Sequence, residues 1–186
     1  MAFVRYKMVK GCKYYQLVRN YRENGKHRQQ VLCHLGQHES LDAAIDYEKS
    51  MVSHHLRVVD AQEEEAASTK AYLFEFYGDR FTDKLPSLDE AYSAWDAFYE
   101  EYNANLYEFR DGFWCIKSSH LKGSFMDPEY DEFRQRWHRR QHHEEALLNS
   151  ILEYYDEKAD AIWHQVLADE HQAQLDKYLA LKSAYG

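Results

Sequence analysis

The chain has 186 residues and a mass of 22.3 kDa, enough for one domain with a proper core or for a small module joined to an extended helical body. Sixteen Tyr, nine Phe and four Trp against seven Gly and two Pro favour long uninterrupted helices with aromatic packing, and no stretch approaches the ~20 apolar residues of a membrane span. The start of the chain has no apolar signal-peptide core, and Cys12, Cys33 and Cys115 are odd in number, far apart and without a CxxC pair, which argues against a disulfide framework or a zinc knuckle and predicts a cytoplasmic protein.

The first elements read as strands. Phe3 to Val9 forms one, Gly11 turns the chain, and two more are joined at Asn24-Gly25, a dipeptide suited to a two-residue hairpin turn because both central positions need positive φ. Alternation aligns Val4, Tyr6 and Met8 with Tyr15, Leu17 and Tyr21 and with Val31, Cys33 and Leu35 in three matching apolar rows, with Cys33 as a small core residue. The expectation is a three-stranded antiparallel sheet.

Charge separates this sheet from the rest. Residues 1–37 hold eight Lys/Arg (Arg5, Lys7, Lys10, Lys13, Arg19, Arg22, Lys26, Arg28) against the single acid Glu23, a net +7, while the whole chain carries −9, which leaves −16 on residues 38–186. A short basic arm on an acidic body predicts a polyanion contact confined to the arm, with nucleic acid as the natural partner. Arg5, Lys7, Lys13, Arg19, Arg22, Lys26 and Arg28 are the candidate contacts, because a β-ribbon can enter the major groove and place alternate side chains on base edges and phosphates. The competing reading is a small capping sheet whose charges solvate its outer face and protect its edges.

The run YYQLVRNYRENGKHRQQVLCHLG, followed by a helix opening at Ser40-Leu41-Asp42-Ala43-Ala44, resembles the N-terminal segment of bacterial insertion-sequence (DDE-type) transposases. It is similar in layout, more loosely, to the three-strand-plus-helix arm-binding domain of phage integrases. The resemblance spans residues 3–50 and implies contact with duplex DNA by Arg19, Arg22, Lys26 and Arg28. Nothing downstream resembles the family's RNase H-like catalytic domain, and the remaining chain is too short to build one, so transposition chemistry by this protein alone is not expected.

Past Gly36 the apolar period changes from two to about 3.6. A first helix opens with Ser40 as N-cap and runs through Leu41, Ile45, Val52, His55 and Val59, with Gln62-Glu63-Glu64-Glu65 as a solvated face. After Pro86 a capping box, Ser87-Leu88-Asp89-Glu90, opens a second helix. Leu88, Tyr92, Trp95, Tyr99, Tyr102, Leu106 and Phe109 follow it at 4-3-4-3-4-3 spacing, a stripe expected to pack against another helix. Asp111-Gly112 ends that helix and Phe113 to Lys117 reads as a short extended segment.

From Glu129 to Tyr185 there is no Gly or Pro. Leu148, Ile151, Leu152, Tyr155, Ala159, Ile162, Trp163 and Val166 share one face, and the phase then shifts toward Leu175 and Leu179, which predicts a kink or break near residues 168–174. The architecture expected is α+β, mainly α: a basic β-module over residues 1–37, then an acidic body of long antiparallel helices over 38–186, at about 40–77, 87–110 and 129–184, similar in local grammar to a coiled-coil hairpin.

Two histidine groups have metal-like spacing. Asp156, Asp160, His164 and His171 share a side of the last helix that faces away from its apolar stripe, so no partner helix would complete a coordination shell. His138 and His142 sit among Arg134, Arg136, Arg139 and Arg140, which would repel a cation, and no metal or other cofactor is expected. Those four arginines interleaved with Trp137 offer a secondary nucleic-acid contact, against the simpler reading that they pair with acids of the body. No Walker loop, GxGxxG, HExxH or GxSxG motif occurs. The sequence therefore predicts a non-enzymatic nucleic-acid-binding accessory protein whose helices form a homodimer or dock a protein partner. The alternative is an acidic interaction or nucleic-acid-mimic protein that binds no nucleic acid, and a helical metalloprotein is the third reading.

Overall fold

The computed structural model describes the backbone of residues 2–110, 113–116 and 128–185 and the side chains of 2–104, 132 and 135–185. It is α+β and mainly helical: strands β1 (Ala2–Val9), β2 (Cys12–Glu23) and β3 (Lys26–Gly36), helix α1 (Leu41–Tyr77), a 3-10 turn (Gly78–Arg80), helix α2 (Leu88–Leu106), strands β4 (Tyr107–Arg110) and β5 (Phe113–Ile116), and helix α3 (Pro128–Tyr185). Among the described residues no helix is long and apolar enough to cross a membrane. The chain forms two compact units, one of residues up to Ala61 with those from Asp160 on, the other Gln62–Ala159.

In the first unit the strands lie antiparallel in the order β1-β2-β3. Lys10 (φ 49°) and Gly11 (φ 83°) make the first turn, Asn24 (φ 50°) and Gly25 (φ 77°) the second, each a left-handed pair that matches strand twist. Val4, Leu17 and Cys33 lie side by side, and they pack with Leu35 onto Ala44 and Ile45 of α1 and Leu175 and Tyr178 of α3. Ser40 caps α1, its Oγ accepting the Ala43 N–H at 3.0 Å. Lys182 pairs with Asp42 at 2.6 Å and the Tyr178 hydroxyl donates to the His34 carbonyl at 3.0 Å, so α3 runs back along α1 and meets the sheet.

The expected inward row on β3 is altered. Cys33 and Leu35 are buried, but Val31 is 38% exposed. The register slips between Tyr15/Gln16 and between Leu17/Val18, which inserts Leu35 and Leu32 as bulge residues. Each extra residue reverses the alternation, turning Val31 to the face opposite the helices while Leu32 and Leu35 pack with the core. Tyr6 and Met8 share the core face by register yet stay exposed.

In the second unit Leu73, Tyr77, Leu85, Ala91, Leu147 and Ile151 form the core, with Phe98 also buried. The expected capping box forms: Glu90 Oε2 accepts the Ser87 N–H at 2.7 Å, and Ser87 Oγ accepts the Glu90 N–H at 3.3 Å. Arg80 pairs with Glu144 at 2.7 Å, the Tyr155 hydroxyl donates to the Pro86 carbonyl at 3.0 Å, and Thr69 donates to Glu157 at 3.1 Å.

The aromatic stripe of α2 sits differently from its expected packing. Ala91 and Phe98 face the core, Trp95 and Tyr102 are half-buried, and Leu88, Tyr92 and Tyr99 are exposed. The contact follows the stripe 91-95-98-102, which shares Trp95 and Tyr102 with the expected one but substitutes small Ala91 for Tyr92. The helix also ends at Leu106, before Phe109, because Tyr107–Arg110 pairs with Phe113–Ile116 as a hairpin. Residues Asp111-Gly112 and the side chains of Leu106, Phe109, Cys115 and Arg134 lie outside the described residues.

Helix α3 runs unbroken through 168–174, contrary to the expected break. In the first unit its inward positions are Ala161, His164, Ala168, His171, Leu175 and Tyr178, a 3-4 repeat that keeps one seam facing α1. The apparent phase shift arose from Ile162, Trp163 and Val166, which point away from that seam and are exposed.

Candidate nucleic-acid interface

The face of the sheet opposite the helices follows from register and alternation. Phe3↔Val18↔Val31, Arg5↔Gln16↔His34 and Arg22↔His27 lie on it, together with Lys7, Tyr14, Asn20 and Gln29, and of these Val18, on the central strand, is fully buried. Arg5 is held in place: its Nε and Nη2 donate to Gln16 Oε1 at 3.2 and 3.1 Å, and its Nη1 donates to Gln29 Oε1 at 2.7 Å. Gln16 in turn donates to His34 Nδ1 at 3.1 Å. Arg22 Nε donates to His27 Nε2 at 3.2 Å. Across three strands this makes an exposed row of guanidinium, amide and imidazole groups, fixed by each other rather than by the core.

Beyond Arg19 the sheet becomes a ribbon. β1 pairs with β2 only from Ala2↔Arg19 to Val9↔Cys12, so Asn20 to Glu23 and Lys26 to Gln29 pair with each other alone. This two-stranded tip carries Arg22, Lys26 and Arg28. Arg28 is tied to Glu23 at 3.0 Å, yet both side chains remain about half exposed.

The seven candidate contacts therefore do not form one patch. Arg5, Lys7 and Arg22 lie on the outer face, whereas Lys13, Arg19, Lys26 and Arg28 belong to the row that faces the helices. Arg19 is engaged inside the unit, donating to Gln30 at 2.8 Å and to the Tyr185 hydroxyl at 3.2 Å. Lys13 sits over the Tyr6 ring. Sequence reasoning missed Gln16, Asn20, His27, Gln29 and His34, whose signal was the run of amide and imidazole side chains at alternate positions opposite the apolar row.

In the other unit the secondary basic run is engaged at Arg139 and Arg140. Arg140 grips Glu101 with two bonds of 2.8 and 2.9 Å and lies over both Phe98 and Trp137. That pairing raises the Arg140 pKa and lowers that of Glu101, in each case chiefly through the shared hydrogen bonds. Arg139 donates to the Gln135 carbonyl of its own helix, Arg136 is exposed, and half-buried Trp137 meets Tyr102 edge-on at 5.4 Å. His138 and His142 are exposed, and among the described residues no group of His, Cys, Asp or Glu is placed to hold a metal ion. His164 and His171 do not face solvent as expected; they meet His55 and Glu48 of α1.

A basic three-stranded sheet followed by a long helix is the arrangement seen here for residues 2–77, and its sequence is similar to the N-terminal segment of an insertion-sequence transposase. Residues 4–69 match the family described as IS1634 family transposase, N-terminal domain, a stretch of 66 among the 186 residues. No curated protein and no solved structure matches the chain.

Proposed function

We propose that the protein binds duplex DNA through the outer face of the sheet and its projecting ribbon, as a non-enzymatic accessory factor, and that its helices associate with a protein partner or a second copy. The observation that carries this reading is the ribbon of residues 20–29 continuing the fixed Arg5–Gln16–Gln29 row. A two-stranded ribbon fits the major groove, Arg reads guanine and Asn or Gln reads adenine, and Lys and Arg engage phosphates. The similarity of residues 4–69 to a transposase N-terminal domain supports DNA as the polyanion. For association, the outward Leu88, Tyr92 and Tyr99 of α2 supply exposed apolar area.

The test is fluorescence anisotropy of labelled duplex DNA with the full chain across a salt series. About four phosphate contacts give a slope of log K against log[salt] near −3.6, and Arg5→Ala/Arg22→Ala/Lys26→Ala should lower its magnitude by roughly 2 to 3. Circular dichroism confirms that the variant is folded. Binding that is absent in the wild type at low salt, or identical in the triple variant, refutes the reading and leaves an acidic protein-interaction role.

A further inference from the structure

In the unit that carries the sheet, α1 and α3 meet through ionisable side chains where apolar ones would be expected. His55 is only 6% exposed, and its Nδ1 lies 2.8 Å from His164 Nδ1, so one imidazole donates its proton to the bare nitrogen of the other. The His171 ring stacks on His55 with centroids 5.5 Å apart, and its Nδ1 donates to Glu48 Oε2 at 2.5 Å. His54 of α1 lies 5.2 Å from His55, and Tyr47 meets His171 edge-on. The donors pair with one another rather than converging on a point.

We propose that Glu48, His55, His164 and His171 form an acid-sensitive latch that holds α1 against α3. The chemistry is that of a shared proton. A hydrogen bond between two Nδ1 atoms exists only while one of them is bare. Protonating the acceptor sets two N–H groups face to face and places a positive charge against the neighbouring imidazoles in a site with little water to screen it. Burial, then the neighbouring imidazoles His164, His54 and His171, hold the proton affinity of His55 below the ordinary imidazole range. A base depressed in the folded state stabilises the fold above its unfolded value, near 6.5, and that stability is lost as the pH falls below it. Glu48, on His171, is the one carboxylate hydrogen-bonded within the cluster.

Hydrogen exchange on the full chain at pH 7.5 and 5.5, with rates corrected for intrinsic pH dependence, tests the latch. The lower pH remains above the ordinary carboxylate range, so imidazoles dominate the change. Peptides covering 48–60 and 160–174 should lose protection on acidification while those of 62–159 keep theirs. His55→Gln, which retains a polar group but cannot take up the proton, should abolish the difference. Equal protection of the wild type at both pH values, or a loss that persists in His55→Gln, overturns the proposal. If His55→Gln fails to fold, imidazole NMR of the wild type decides: a buried ring titrating below the ordinary range supports the latch, and one titrating within that range removes it.

Discussion

The two bulges on β3 make an unusual claim about neighbouring residues, and side-chain truncation tests it directly. Leu35 is 1% exposed and lies among Ala44, Ile45, Leu175 and Tyr178, whereas Val31, in the same nominal row, is turned to the outer face. Leu35→Ala removes three buried carbons from a site ringed by two helices that cannot both collapse inward, so a cost of about 2 to 5 kcal/mol is expected. For a chain of this length each kcal/mol moves the melting midpoint by roughly 2 to 4 °C, which places the fall at about 4 to 20 °C. Val31→Ala deletes two methyl groups already in contact with water and should cost less than about 1 kcal/mol. Urea titration followed by far-UV circular dichroism measures both, the slope showing whether the extent of unfolding stays the same. Equal costs at the two positions, or a larger cost at Val31, would mean that the alternation is unbroken and the bulges are absent.

Two further outcomes concern the second unit. Ser87→Ala removes the cap of α2 and should destabilise by about 1 kcal/mol in the same titration. Glu90, whose pKa is lowered first by the Ser87 backbone N–H and then by the Ser87 side chain, contributes stability above its unfolded value that is lost as the pH falls through the lowered one, so the Ser87→Ala deficit should shrink in acid. At Glu157 the sign is opposite: burial raises its pKa, helped by Glu153 and Glu65, and Oε2 has no hydrogen-bond partner among the described residues. Its charge therefore weakens the fold as pH rises through the raised value, and Glu157→Gln should stabilise by about 1 kcal/mol at pH 7, with the gain vanishing as the pH is lowered. A constant or negative difference across that range would contradict the assignment.

What was legible in the sequence was local. Lys10-Gly11, Asn24-Gly25, the Ser40 cap and the Ser87–Glu90 box each depend on a few adjacent residues, and all four form. What was not legible depended on distant partners. The bulges at Leu32 and Leu35 are selected by which residues α1 and α3 can cover, and the one at Leu32 turns Lys26 and Arg28 onto the row that faces the helices. The buried seam of α3 was hidden because it is built from Ala161, His164, Ala168 and His171, residues that hydropathy ranks below the exposed Ile162 and Trp163. Tyr92 fitted the expected stripe on α2 better than Ala91 did, yet small Ala91 is the one that reaches the core.

The sheet is supported by the far end of the chain, and that has a consequence for synthesis. His34 and Tyr178, joined by a hydrogen bond, are 144 residues apart, and Leu175 covers the same core as Leu17. At roughly 5 to 20 residues per second, a ribosome takes about 7 to 30 s to travel between the two positions. For that interval the hairpins, which close in microseconds, have an uncovered apolar face and open edges. Arg5, Lys7 and Arg22, spaced among the polar and apolar residues of the outer face, are then the charges that oppose strand-to-strand pairing of nascent chains, before they have any ligand to meet.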